Sequence, residues 1–239
     1  MKTIQLKPTF VKTKNVRKTE VMMDALGLNQ GEGCFGMIYG QAGRGKTRTA
    51  QWYTAHNDTG YLRILSIYRT SELAFLYDLC KALGIITPPK RKAQAFAAIV
   101  DKLTDYPKPV FLDEIEKMPN TFLEIVRDIA DIAGVLFVFI GEDELVGYLE
   151  RNRRVWSRTF KQLEFKPIEI ADIIVYAVET TGLKLSIQVA SILHKASGGD
   201  FRLIRRDLIG LVQAANANQT DTITEKMANI IIKSGFSGK

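Results

Sequence analysis

Two short strings carry residue types whose spacing can do chemistry. The first, "GQAGRGKT" (residues 40–47), sets Gly40, Gly43 and Gly45 ahead of a Lys-Thr pair, after the apolar "FGMIY" and before the helix-prone "RTAQWYTAH". Glycines let a backbone curl so that its N–H groups face one point, and a helix starting there adds the positive end of its dipole, so such a loop cradles phosphates. In that setting Lys46 reaches the β and γ phosphates of a nucleotide and the Thr47 hydroxyl coordinates Mg²⁺. Gly40, Gly43, Arg44, Gly45, Lys46, Thr47 and Arg48 are the nucleotide-binding residues expected from this loop. The second string, "PVFLDEIE", closes an apolar run with Asp113 and Glu114. Asp113, at the end of a buried strand, is placed to hold the metal or its water shell, and Glu114 to polarise an attacking water. One acid suffices for binding, whereas an adjacent pair points to hydrolysis, so the expected cofactors are ATP and Mg²⁺ and the expected reaction is ATP hydrolysis.

These groups need a scaffold, and the apolar pattern supplies one. Strands are expected at "FGMIY" (35–39), "LRILSI" (62–67), "PVFLD" (109–113) and "VLFVFIG" (135–141), alternating with amphipathic helical patterns at "SELAFLYDLCKALG", "RKAQAFAAIVDKLTDY" and "TFLEIVRDIADIAG". Strands alternating with helices read as an α/β fold with a parallel β-sheet flanked by helices. After about residue 165 the strand signals stop, and four helical patterns separated by Gly, Ser or Thr form a small C-terminal helical lid domain. The expected organisation is an N-terminal segment and helix over 1–30, a nucleotide-binding core over 31–165 and the lid over 166–239. In "NVRKTEVMMDALG" the helical spacing turns Val16, Val21, Met22 and Leu26 toward the core. Core or interface packing is the favoured role for Trp52, Tyr53 and Trp156, ahead of stacking on bases.

Composition narrows the function classes. At 239 residues and 46% hydrophobic content the chain buries a full core. It has no apolar run long enough to span a bilayer and no signal-peptide core at "MKTIQLKPTF", so a cytoplasmic protein with no membrane partner is expected. Two unpaired-looking cysteines, Cys34 and Cys80, and two histidines argue against a disulfide framework, a zinc site or a thiol catalyst. The net charge of +7 suits a polyanionic partner, and its distribution says more than its sum. Basic residues bunch at Lys7–Lys18, at "KRK" (Lys90, Arg91, Lys92), at "RNRR" and at Arg202, Arg205 and Arg206.

Taken together, "FVKTKNVRKTEV", "YGQAGRGKT", "VFLDEIE", "VLFVFIGEDEL", "RRVWSRTF" and "SGGDFRLIRRDL" make the chain resemble the AAA+ ATPases, and within them the MuB-type DNA transposition target-selection family, related to the IstB helper ATPases. The resemblance implies that Arg202 is the sensor arginine through which the lid feels the nucleotide. It implies an arginine finger reaching a neighbouring subunit's γ-phosphate, with Arg154 and Arg158 as candidates and Arg153 not excluded. A finger acting in trans contributes on the order of 10³–10⁵ in rate, so an isolated subunit is expected to be nearly inactive. It implies self-assembly into a helical filament or ring on double-stranded DNA, phosphate contacts from Lys90, Arg91 and Lys92 with Lys117 as a weaker one, and a transposase as partner that stimulates slow hydrolysis. The family's entrance to the nucleotide site suggests Phe10 and Val11 near the adenine, with core packing equally in view. MuB-type proteins carry a helix-turn-helix domain ahead of the ATPase; only a short segment precedes "FVKTKNVRK", so that module is expected to be missing. One position departs from the pattern. The family places a neutral polar residue after the strand "VLFVFIG", and here Glu142 stands there, followed by Asp143 and Glu144, which predicts slow hydrolysis or a side chain turned away from the phosphates. A helicase-loader-like ATPase on single-stranded DNA and a nucleotide-dependent regulator of a protein partner without DNA are the alternatives.

Overall fold

The computed structural model describes residues 3–28 and 34–236 and divides the chain into two compact units. The larger takes Lys18–Gln41 and Gly45–Phe165. The smaller takes the chain up to Arg17, the piece Ala42–Arg44 and the chain from Lys166 onward.

The larger unit is built on five strands, β1 (Cys34–Tyr39), β2 (Gly60–Arg63), β3 (Val110–Asp113), β4 (Leu136–Ile140) and β5 (Thr159–Glu164), in the order β2-β3-β4-β1-β5, all parallel. Every residue of β3 and β4 is buried, as expected of central parallel strands covered on both faces. Side chains alternate between two cores. Phe35, Met37, Val110, Leu112, Phe137 and Phe139 enter one, beneath α3 (Glu72–Ala82), α4 (Lys92–Asp105) and α5 (Asn120–Ala133). Ile38, Phe111, Val138 and Ile140 enter the other, with Met22, Met23 and Leu26 of α1 (Lys14–Gly27) and Ala50 of α2 (Lys46–His56). Ser71 caps α3 by accepting the Ala74 N–H at 3.1 Å, and Gly134 ends α5 in the left-handed conformation. The short helices α6 (Glu144–Glu150) and α7 (Arg153–Trp156) link β4 to β5.

Three expectations need correction. The strand placed at 62–67 begins and ends earlier, because its partner β3 stops at Asp113; Ile64 N–H still reaches the Asp113 carbonyl at 2.7 Å, and a 3₁₀ turn, Ser66–Thr70, follows. Strand β5 went unread, since it lies at the sheet edge with Phe160, Lys161 and Gln162 exposed and so lacks an apolar run. Val21 is 68% exposed, unlike Val16, Met22 and Leu26. The buried stripe of α1 runs through Met22, Met23 and Leu26, and Val21 falls on the opposite side of the helix. Cys34 and Cys80 are buried free thiols, Tyr53 packs edge-on against Phe111, and Trp156 packs on the core beneath α5.

The smaller unit is helical: α8 (Ile170–Thr181), α9 (Ile187–Ser197), α10 (Phe201–Ala217) and α11 (Glu225–Phe236) enclose Ile173, Ala177, Leu193, Leu208 and Leu211, with Val11 buried in the same core. The N-terminal segment is tied on by Lys7 N–H to the Thr180 carbonyl (2.7 Å) and by a reciprocal pair between Ile4 and Asn216 (2.8 and 2.9 Å).

Phe139 is fully buried and stacks on Phe35 with centroids 4.9 Å apart. Phe139→Ala is expected to destabilise the protein by about 3–5 kcal/mol through the cavity it opens. The exposed Val21→Ala should stay within about 0.5 kcal/mol of wild type, both read from urea unfolding midpoints.

Candidate nucleotide site

The loop after β1 is shaped by glycines that side chains would obstruct. Gly40, Gly43 and Gly45 have φ of 140°, 78° and 93°, conformations costly for L-residues. A Cβ on Gly40 would lie 2.7 Å from the Phe165 carbonyl oxygen, and one on Gly43 would lie 2.1 Å from the Asp200 carboxylate. Gly45 is the N-cap of α2 and offers no side-chain cap, so the first-turn N–H groups of that helix keep their donors for an anion. Thr49 closes the turn, its N–H and hydroxyl both bonding to the Gly45 carbonyl (2.9 and 3.0 Å). Lys46 Nζ folds back onto the carbonyls of Gly40 and Gln41, the latter at 2.9 Å. Burial lowers the pKa of Lys46, and Glu142, Asp113, Glu116 and Asp143 oppose that shift by favouring its charge.

The acids lie at the C-terminal end of β3 and just beyond. Asp113 is 2% exposed; its Oδ1 accepts the Glu114 N–H at 3.0 Å and its Oδ2 the Tyr61 hydroxyl at 2.9 Å. Burial first, and then the Asp113 charge, push the Tyr61 phenol up, so it stays a donor. Glu114 takes a left-handed backbone (φ 60°, ψ 41°), which is uncommon for a non-glycine residue and swings its carboxylate out of the strand. That carboxylate bonds to Arg63 Nη2 (2.5 Å) and to Lys117 Nζ. Burial pushes its pKa up, but the two cations outweigh burial and hold it below the usual glutamate value.

The remaining expected residues are distributed as follows. Arg44 is buried in the smaller unit, its Nη1 donating to the Gly198 carbonyl at 2.7 Å, while Arg48 is exposed. Arg202 has an exposed side chain, and its backbone N–H donates to the Asp200 N-cap carboxylate at 2.7 Å. Arg154 pairs with Glu124 at 3.6 Å and Arg158 with Asp131 at 3.0 Å, both acids on α5. Lys90 and Arg91 are exposed ahead of α4, whereas Lys92 pairs with Glu72 and Lys117 with Glu114. Sequence reasoning missed Tyr61, Arg63 and Glu116. The first two reach the acids through the β2–β3 register, which sets Arg63 opposite Asp113. Only the correct strand limits would have revealed them.

A glycine loop joining β1 to an uncapped helix start, with an acid pair at the end of β3, a parallel strand of the same sheet one position beyond β4, defines a phosphate-loop nucleotide-binding protein. Residues 30–149 match the family model described as "AAA domain", half of the chain, and the protein belongs to the AAA family of ATPases. Within it the chain is similar to transposition proteins of Mu-like phages. It is 25% identical over 82% of its length to the Mu-like prophage FluMu DNA transposition protein B of Haemophilus influenzae, of which the match spans 70%. It is 23% identical over 70% of its length to the ATP-dependent target DNA activator B of Escherichia phage Mu, of which the match spans 54%. Among solved structures, the Aeropyrum pernix ORC2 protein in its ADPNP–ADP complexes shares the fold at a TM-score of 0.67 and 15% identity, over 98% of this chain and 70% of that one. The Aeropyrum pernix ORC1 protein in complex with DNA does so at 0.65 and 19%, with the same coverage.

Lys46→Ala is expected to weaken ATP binding about ten- to hundredfold by removing charge-assisted contacts. Glu114→Gln, by contrast, should keep the affinity and lower turnover by about 10²–10⁴-fold, as loss of a general base does. Calorimetric titration and single-turnover hydrolysis separate the two.

Proposed function

We propose that the protein is an ATP- and Mg²⁺-dependent, sequence-nonspecific binder of double-stranded DNA that assembles into filaments and selects target DNA for a transposase, in the cytoplasm of a bacterial or phage-infected cell. The carrying observation is the exposure of Lys90 and Arg91 on the same compact unit that holds Lys46, Asp113 and Glu114, in a chain whose relatives are named for DNA transposition and target DNA activation. Exposed cations contact phosphates without reading bases, which gives affinity without sequence preference.

The chemistry follows from the site. Lys46 and the α2 N-terminus bind the β and γ phosphates. The buried Asp113 carboxylate and the Thr47 hydroxyl are hard oxygen donors of the kind Mg²⁺ takes, and the ion would neutralise phosphate charge. Glu114 orients and deprotonates the attacking water once Arg63 and Lys117 release it. Arg202 makes the helical unit a lid that responds to the γ-phosphate, and Arg154 or Arg158 completes a neighbour's site after leaving its acid on α5. ATP then favours the assembled state through contacts that hydrolysis removes, which is a population shift with a defined cause.

Binding to a labelled duplex and to a single strand of equal length, each with ATP, ADP or no nucleotide, tests this reading. Duplex binding with ATP alone, in filaments visible by negative stain and lost in Lys46→Ala, is the expected result. Preference for single strands would instead favour helicase loading, and binding to neither would move the search to protein partners. Replacing Lys90, Arg91 and Lys92 together with Ala is expected to reduce the slope of log affinity against log salt by about three, since each lost phosphate contact removes close to one counterion.

A further inference from the structure

Glu116 belongs to no motif, yet its carboxyl is built into the turn that follows β4. Its Oε1 accepts the Glu142 N–H at 3.4 Å, and its Oε2 is buried with no hydrogen-bond partner. Oε2 occupies the space a side chain on residue 141 would need: a Cβ on Gly141 would lie 2.2 Å from it and 3.0 Å from the carboxyl carbon. With Glu116 in this position, Gly141 and the Glu116 carboxyl pack directly on one another, with Leu145 Cβ 3.1 Å from the same point, and join the 3₁₀ turn Ile115–Lys117, just past Asp113 and Glu114, to the end of β4. Gly141 N–H in turn bonds to the carbonyl of Ile38, the penultimate residue of β1, at 3.1 Å, just ahead of the phosphate loop. Glu116, Glu142 and Asp143 all act electrostatically on Lys46. A carboxylate left partly unpaired and buried is costly, so its retention at a turn between two strand ends asks for a reason.

We propose that Glu116 is a positioning residue for ATP hydrolysis: by bonding the Glu142 N–H and filling the space over Gly141, it fixes the turn after β4 relative to Lys46 and the Asp113–Glu114 pair. The Glu142 N–H is the group that Glu116 Oε1 accepts from, and Glu142 itself lies close enough to Lys46 to act on its charge, so the turn that Glu116 holds borders the phosphate loop. The role concerns the placement of the turn, not the capture of nucleotide, and a misplacement of about 1 Å at a reacting centre costs on the order of 10²-fold in rate.

The inference rests on the nucleotide reading of the loop at Lys46, and the test separates the two. ATP affinity and DNA-stimulated kcat and KM are measured for Glu116→Ala, Glu116→Gln, Gly141→Ala and the double variant Glu116→Ala/Gly141→Ala, beside Lys46→Ala. Glu116→Ala is expected to lower kcat about ten- to hundredfold with KM within about twofold, the signature of an interaction felt at the transition state. Glu116→Gln, which keeps the acceptor for the Glu142 N–H, should recover at least half of the wild-type kcat. Gly141→Ala expels the carboxyl and should match Glu116→Ala, and the double variant should be no worse than either single one, because both changes break the same contact. A wild-type kcat in Glu116→Ala, or additive losses in the double variant, overturns the proposal. Equal loss of kcat and of melting temperature in Glu116→Ala and Glu116→Gln also overturns it, by reducing Glu116 to a folding element. Retained ATP binding in Lys46→Ala would overturn the nucleotide reading instead.

Discussion

The site is organised around the burial of one charge, the Asp113 carboxylate. A carboxylate taken out of water is tolerated only when its oxygens are satisfied and a positive charge lies near. Here both oxygens accept hydrogen bonds, from the Glu114 N–H and the Tyr61 hydroxyl, and Lys46 supplies the charge. Each partner places a demand on the fold. Tyr61 must come from a strand in register beside β3, so β2 is set at the edge with Tyr61 opposite Phe111. The Glu114 N–H must turn back on the preceding side chain, and the left-handed backbone at Glu114 turns the chain out of the strand there. Lys46 must follow a loop held in glycine conformations, and no other residue suits Gly40, where a Cβ would strike the Phe165 carbonyl.

That arrangement also explains what becomes of Glu114. A strand end that places Asp113 inward leaves the next carboxylate outward, within reach of Arg63 at the end of β2 and Lys117 one helical turn on. The pairing lowers its pKa and keeps it ionised, which a base needs, but also occupies the lone pairs with which it would take a proton from water. The same carboxylate cannot serve both cations and an attacking water. A role for Glu114 as base would therefore require Arg63 and Lys117 to give up these bonds.

How much of this was legible depends on distance along the chain. The phosphate loop and the acid pair are local strings with a local physical meaning, and β1, β3 and β4 are continuous apolar runs because both faces of the sheet are covered. Tyr61, Arg63 and Glu116 were not legible, since each acquires its role from a residue about 25 to 50 positions away, through strand register or a turn-to-turn fit. Strand β5 was hidden for the opposite reason: one exposed edge needs few apolar side chains, and its polar residues read as loop. Val21 shows the limit of periodicity within a single helix, where neighbouring apolar residues blur the buried stripe. The pairing of Arg154 and Arg158 with acids of α5 likewise depends on tertiary placement.

Charge balance bears on the form in which nucleotide enters. Four carboxylates, Asp113, Glu116, Glu142 and Asp143, act on one lysine, Lys46. The α2 N-terminus contributes only about half a positive charge. A triphosphate arriving alone would add several negative charges to a site already short of positive ones, and Lys46 could not compensate them. Burial raises the pKa of Glu116, backbone hydrogen bonds at Glu116 and Glu142 work against that rise, and the charges of Glu114 and Glu142 add to it. A divalent cation arriving with the nucleotide would offset that deficit, and the Asp113 carboxylate and the Thr47 hydroxyl are hard oxygen donors of the kind that would suit it.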